Sequence, residues 1–210
     1  MRAASGELVF AFHRASATLV VLMAGKNHAT RLSVIVAVRD VEDSIGRDVR
    51  SMAAHLRQRG LVFEILAASD GSRDTSLTLL RLLCSEIPEL SVVGLARSGR
   101  AFRRVVAHAQ GEAVLLWEAD RGAVFPHAVL GWALSRLARK AAVIVRGRFV
   151  LANRMRVLPI LLETSGHWDD YEARFERQAA NLGLDLEIVG QRSRRRSRHL
   201  LAPVLRILSV

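Results

Sequence analysis

A run of β-branched and aliphatic residues, "RLSVIVAV" (Arg31 to Val38), restricts this chain more than any other feature. A strand with so little polar alternation suits a place covered on both faces, and such a place exists inside a sheet flanked by two helical layers. The next residues agree. Ile45, Val49, Met52, Ala53 and Leu56 recur at helical spacing, with Asp43 or Ser44 placed to cap the start and Gly60 the end. "LVFEILAA" (Leu61 to Ala68) repeats the strand pattern, and a helix carrying Leu77, Leu80, Leu83 and Cys84 repeats the helical one. "LSVVGLA" precedes a helix with Ala101, Phe102, Val105 and Val106. "AVLLW" forms a fourth strand, and Pro126 opens a helix with Val129, Leu130, Ala133, Leu134 and Leu137 inward.

Strands alternating with helices imply right-handed crossovers and an α/β/α sandwich around a mostly parallel sheet. Beyond Lys140 the pattern changes. "AAVIVRGRFVLANR" reads as one more strand leading to a turn, "HWDDYEARFERQAANLG" as a helix burying Tyr171, Phe175, Ala179 and Leu182, and "LDLEIVG" as a short last strand. The organised domain is therefore expected over 31–190, after a poorly patterned 1–30 and before a basic, amphipathic 191–210. Because pattern begins only at Arg31, Met23 is a candidate first residue.

With 210 residues, half of them apolar, the chain can bury one sizeable core. Its formal net charge of +11 draws anionic partners such as phosphate or an anionic membrane surface. Lys26 and Lys140 are the only lysines, so nearly all the positive charge is arginine, and no nucleic-acid reading motif accompanies it. Nucleic acid is not the expected partner. Cys84 stands alone, which excludes an internal disulfide and a cysteine-rich metal site and fits a reducing, cytoplasmic compartment. "ASATLVVLMAG" is too short to span a bilayer, and "MRAASGELVFAFHR" lacks the compact basic start of a signal peptide. His108, His127, His167 and His199 share no metal-ligand spacing.

Ligands of parallel sheets bind beyond the carboxyl ends of the strands, so polar residues there are the candidates. Asp70 ends one strand, where a carboxylate can accept the ring N–H of a nucleobase. The same Asp-Gly-Ser-x-Asp pattern, with Ser72 or Asp74 capping the next helix, is also ordinary turn chemistry. In "VLLWEADRG" Glu118 and Asp120 stand two apart, so a continued strand projects both carboxylates to one side, a donor set that suits Mg2+ or Mn2+. Asp169 and Asp170 open a helix; they fit a general base for a hydroxyl acceptor, and they fit helix capping equally. "QRSRRRSR" suits diphosphate oxygens, or anionic lipid with help from Leu200, Leu201, Val204, Leu205 and Leu208, or a solvated tail.

Taken in order, these stretches resemble the family 2 nucleotide-sugar glycosyltransferases with the GT-A fold. "SVIVAVRDVEDSI" is similar to the family's opening strand and loop through Ser33, Asp40, Glu42 and Ser44, and "EILAASDGSRDTS" through Glu64, Asp70, Gly71, Ser72 and Asp74. "ARSGRAFRRVVAHAQGEAVLLWEAD" is similar to the segment that leads to the family's paired acids. The ending "LGLDLEIVGQRSRRRSRHLLAPVLRIL" resembles the polyprenyl-phosphate (dolichyl-phosphate mannose type) synthases, with Arg192, Ser197 and Arg198 in the matching places.

The resemblance implies transfer of a sugar from a nucleoside diphosphate sugar to a polyprenyl phosphate or glycan acceptor, at the inner face of a membrane. It implies nucleotide contacts from Ala37, Arg39, Glu42, Asp70, Arg103 and Ala119, a Mg2+ or Mn2+ held by Glu118 and Asp120, phosphate contacts from Arg192 and Arg198, and a base at Asp169 or Asp170. The sequence also departs from the family. Ser69, Ala37, Arg39 and Glu118 replace the usual Asp, Pro, Tyr and Asp, and a sizeable insertion is missing between Val145 and Phe149. Those departures keep a second reading open, in which a degenerate relative binds a nucleotide or a partner without transferring sugar.

Overall fold

The computed structural model describes residues 31–96, 100–119, 125–164, 166 and 168–190; the expectations for 1–30 and 191–210 lie outside them. In chain order the elements are β1 (Arg31–Val38), α1 (Ile45–Gln58), β2 (Val62–Asp70), α2 (Ser76–Leu83), β3 (Leu90–Ala96), α3 (Ala101–Val106), β4 (Ala113–Ala119), α4 (His127–Leu137), β5 (Ala142–Val145), β6 (Phe149–Asn153), α5 (Arg154–Glu163), α6 (Trp168–Asn181) and β7 (Leu186–Val189). The strands form a seven-stranded sheet in the order β3-β2-β1-β4-β6-β5-β7. β1 pairs in parallel with β2 and with β4, while β6 alone runs against its neighbours β4 and β5.

The apolar run of β1 serves two cores, as a strand without polar alternation must. Leu32, Val34, Val36 and Val38 join the buried side chains of α1, α2 and α4. Ile35 and Ala37 face the other way and join α3, α5 and α6. This is the expected α/β/α sandwich. Each fully buried Val, Ile or Leu contributes about 2 kcal/mol of transfer free energy, so the alternation of faces along β1 fixes the strand's register as well as its place.

The second half differs from expectation in three places. "AAVIVRGRFVLANR" is two antiparallel strands rather than one, because Gly147 adopts φ +66 and lets Arg148 N–H close on Val145 O at 2.9 Å. α5 has no counterpart among the expected helices, since Pro159 lies inside it. Asn153 caps it by accepting the Arg156 N–H at 3.3 Å, and burial of Val157, Ile160 and Leu161 outweighs the hydrogen bond that proline cannot donate. Leu182, expected inside, falls past the end of α6 and is 59% exposed; Leu184 packs against the core instead. In addition β2 continues through Ser69 to Asp70, and no side-chain bond from Ser44 caps α1.

One buried group stands out. Tyr171, packed with Phe102 and Trp168, has a hydroxyl without a hydrogen-bond partner among the described residues, and burial pushes its pKa up. An unsatisfied buried hydroxyl is a cost that phenylalanine would not bear. Tyr171→Phe should therefore raise stability by about 1 kcal/mol in urea unfolding; a loss of stability would mean that the hydroxyl has a partner in solution.

Candidate active site at the carboxyl ends of the strands

Two loops meet where β1 and β2 end, and their side chains bond each other's backbone. Val38 O accepts from Ser72 Oγ at 2.8 Å, and the Asp40 N–H donates to the same Oγ at 3.2 Å. The Arg73 N–H donates to Asp40 Oδ1 at 2.8 Å, with Asp40 itself held at φ 48. Val41 N–H donates to Ser76 Oγ at 3.0 Å. Glu42 N–H donates to Asp74 Oδ2 at 2.9 Å, and in return Thr75 N–H and Oγ1 donate to Glu42 Oε2 at 2.9 and 2.6 Å. Asp74 Oδ1 takes the Ser76 N–H at 3.0 Å. The turn reading of the Asp-Gly-Ser-x-Asp pattern is therefore realised by Ser72 and Asp74. Glu42, expected to meet a nucleotide, has one carboxylate oxygen on Thr75.

Asp70 and Glu118 share a face of the sheet. In β2, Leu66 and Ala68 lie with the α3, α5 and α6 core, and Asp70 follows at the same period. In β4, Val114 and Leu116 lie there too, and Glu118 follows them, half-buried. Ala37 of β1 sits between, paired with both Ala68 and Glu118. With β1 interposed and Asp70 two residues farther along, the two backbones stand about 12 Å apart. Ala37 and Ala119 are buried on opposite faces, and Arg39 extends the β1–β4 ladder by donating its N–H to Ala119 O at 3.0 Å.

Asp70 also has a local task. It is 3% exposed, and its Oδ1 accepts the N–H groups of Arg100 and Ala101 at 3.2 and 3.3 Å, which caps α3. Arg103 is exposed on that helix. Two other family-like residues serve the opposite end of the sheet. Glu64 Oε1 accepts from Ser33 Oγ at 2.6 Å and from Gln110 N–H at 2.7 Å, and Gly111 N–H donates to Ser33 Oγ at 2.8 Å. Ser33 and Glu64 thus anchor the return from α3 into β4.

The far side of the carboxyl edge is built around Arg146, which no motif in the sequence marks. Its guanidinium reaches Glu172 at 3.4 Å and Glu176 at 2.9 Å, all three largely buried. Glu172 Oε2 also accepts the Gly147 N–H at 2.8 Å, and Arg146 N–H donates to Val189 O at 2.9 Å. A signal for Glu172 existed: it occupies a core position between Tyr171 and Phe175, where an acid demands a partner. Asp170 is exposed on the first turn of α6. Asp120, Arg192, Arg198 and the side chain of Asp169 lie outside the described residues.

Among the described residues no three His, Cys, Asp or Glu side chains gather as a metal site. Of the expected pair only Glu118 is described; its hard oxygen, facing the same side as Asp70, is chemically suited to Mg2+ or Mn2+. No helix among the described residues is long and apolar enough to cross a membrane.

The family model described as "Glycosyl transferase family 2" matches residues 33–197. No curated protein matches the sequence. Among solved structures, a mannosyltransferase of Pyrobaculum calidifontis in complex with GDP-Man and Mn2+ is similar at TM-score 0.62 and 15% identity, over 89% of this chain and 66% of that one. TarS 1-349 of S. aureus in complex with UDP-GlcNAc is similar at TM-score 0.58 and 15% identity, over 76% and 56%. Glucosyl-3-phosphoglycerate synthase of Mycobacterium tuberculosis, in complex with Mn2+, UDP and phosphoglyceric acid, is similar at TM-score 0.61 and 19% identity, over 82% and 72%. The chain therefore spans less than two thirds of the first two proteins. These likenesses establish the GT-A fold.

The loop bonds and the buried ion pair each set an expectation. Burial pushes the Asp74 carboxyl up, but hydrogen bonds from Ser76 and from the Glu42 amide outweigh it and hold the group below its ordinary 3.8. A carboxyl depressed in the folded state stabilises above its unfolded value and loses that contribution as pH falls through the folded one. Asp74→Asn should cost about 1 kcal/mol near neutral pH and flatten the decline in stability below pH 3.8, read by urea unfolding across pH. An acid limb identical to that of the wild type would reject this role. Separately, Arg146→Ala removes the guanidinium that Glu172 and Glu176 share and should cost about 3 kcal/mol in the same unfolding measurement, with Arg146→Lys recovering part of it.

Proposed function

Because the model of glycosyl transferase family 2 spans most of it, the chain belongs to the family 2 glycosyltransferases, and from that premise we propose that it moves a sugar from a nucleoside diphosphate sugar to a lipid-phosphate or glycan acceptor. The observation that carries the reading is the common face of Asp70 and Glu118 at the carboxyl ends of two strands separated only by β1. The span between them suits a ligand with a base at one end and a diphosphate at the other. That the mannosyltransferase and the phosphoglycerate synthase are described with GDP-Man or UDP and with Mn2+ supports the same donor class and ion.

In this reading Asp70 receives a base N–H while its amide bonds hold it still. Glu118 and Asp120 hold a Mg2+ or Mn2+, which supplies positive charge against the leaving diphosphate. Arg192 and Arg198 add forked hydrogen bonds to phosphate oxygens. A hydroxyl acceptor would lose its proton to Asp169 or Asp170; a phosphate acceptor is already anionic and needs no base. The substrate sits beyond strand tips whose positions the loop bonds fix.

One observation favours binding without transfer, namely that a tight turn at Gly147 joins β5 to β6 directly, where the family resemblance implies a sizeable insertion. A panel of sugar nucleotides with manganese separates the two. Nucleoside diphosphate release, lowered by about a hundredfold or more in Asp120→Ala, is the expected result. Calorimetric binding of a nucleotide without release would favour the second reading, and neither binding nor release would overturn both.

A further inference from the structure

Between α1 and α4, in the layer opposite the one that Asp70 and Glu118 face, runs a line of polar side chains that the proposed transfer does not use. Asp48, Ser51, His55 and Arg59 recur at helical spacing and so share one side of α1 and its C-terminal end. His127 and Gly131, a turn apart on α4, stand opposite. Ser51 Oγ lies 3.0 Å from His127 Nε2, the rings of His55 and His127 are 4.6 Å apart, and Arg59 Nε–H donates to His55 Nε2 at 2.8 Å. Gly131 leaves the room for that guanidinium, since a β-carbon there would stand 2.5 Å from Arg59 Nη1. Glycine inside a helix is less favourable than alanine, so α4 gives up some of its own stability where Arg59 packs.

Neither ring accommodates a second proton. Arg59 can donate only to an unprotonated Nε2, so His55 carries its hydrogen on Nδ1. Protonation at Nε2 removes that bond and sets a cation against the guanidinium. His127 Nδ1 is buried and has no hydrogen-bond partner among the described residues. Both nitrogens of an imidazolium donate, so Nδ1 would then be a buried donor without an acceptor, whichever tautomer the neutral ring held. The charged groups that face the rings come from α1. Asp48, buried and paired with Arg47 at 3.2 Å, favours the imidazolium of His127, while Arg59 opposes that of both rings. On α4 the residues between His127 and Gly131 are apolar, and the sheet side contributes Phe125 and Trp117. Burial is the largest influence on each ring and holds both below their ordinary 6.5.

We propose that Ser51, His55, Arg59 and His127 form a pH-sensitive latch that holds the first turn of α4 on α1 while both rings are neutral and releases it as they take up protons. The released turn leaves the rings in water, where they bind protons more readily than in the closed form. The closed form therefore weakens as pH falls below 6.5, and the loss levels off once the closed rings are themselves protonated. The latch stands on its own geometry and needs neither nucleotide nor ion. Its effect reaches the strand that bears Glu118, because His127 packs edge-on against Phe125 and Phe125 edge-on against Trp117.

Amide hydrogen exchange of the full chain, corrected for the intrinsic effect of pH on exchange, tests the latch between about pH 7.5 and about pH 5. The α4 segment should lose about tenfold in protection at the lower pH, while β1 and β2 keep theirs. His55→Gln/His127→Gln, in which neither position titrates, should abolish the difference between the two conditions. Arg59→Gln, which takes away the fixed cation, should reduce it. Ring-proton NMR of the wild type, assigned through the backbone, should place both midpoints below 6.5. Equal protection of α4 in the two conditions overturns the proposal, as does a loss that persists in the double variant. A loss shared equally by β1 and β2 overturns it in favour of general acid unfolding. Wild-type midpoints at or above 6.5 overturn it without recourse to any variant.

Discussion

The exchange of hydrogen bonds between the loop after β1 and the loop after β2 is the constraint on which the candidate site rests. Glu42 and Asp74 each take the N–H groups of the other's loop, and Ser72 and Ser76 add bonds in the same sense. Neither loop could hold its path alone, since turns of this length leave amides that water would otherwise claim. Bonds to ionised acceptors contribute more than neutral ones, and acting together with the serine bonds they fix the tips of two adjacent strands. With the tips fixed, the parallel register carries the constraint sideways: Ala37 aligns with Ala68 on one strand and with Glu118 on the other. The relation between Asp70 and Glu118 is thus inherited from backbone pairing, not set by contact between the two acids.

The far edge of the sheet solves a different problem with a different device. β5 and β6 are joined by a turn that projects past the sheet, and α6 must be held against it. Arg146 does both, its backbone on β7 and its guanidinium on Glu172 and Glu176. A partly buried ion pair is weak support for stability in general, because desolvation offsets most of the attraction. Its value here is positional. It ties α6 and the end of β7 to the turn after β5, at the edge where Asp170 and Gly190 stand.

Much of the architecture can be read from the sequence because burial and periodicity are local signals. The four parallel strands are legible as apolar runs, and the helices around them as stripes of core residues. The hairpin is not, since a turn such as Arg-Gly-Arg announces itself only when φ at Gly147 is known. α5 is hidden twice over: Pro159 argues against a helix, and apolar residues on both sides blur its period. The site is half legible. Asp40, Glu42, Ser72 and Asp74 stand out in the sequence, but their bonds to one another span more than thirty residues and no spacing rule reveals them. The likeness to the family stands on 31–140 and is borne out at that level by the match over 33–197, whereas the finer likeness to polyprenyl-phosphate synthases rests on an ending whose matching residues, Arg192, Ser197 and Arg198, lie outside the described residues.

The proposed chemical role of Asp70 falls on a residue that already has a structural task. Its burial, with amide donors from Arg100 and Ala101 on one oxygen, would look like a complete explanation of why an acid ends β2. A carboxylate, however, offers about four lone-pair sites over two oxygens, so a capping task does not by itself preclude a ligand contact. Those bonds also orient the group before any ligand arrives, and a recognition group that need not be ordered on binding loses less entropy when it binds. A serine at this position could cap α3 nearly as well. The neighbouring residue supplies the contrast: Ser69, on the opposite face, accepts the Ser72 N–H at 3.0 Å and serves the turn. Ser69 thus serves the turn and Asp70 the start of α3, and the proposed base contact would draw on a carboxylate that the fold has already oriented.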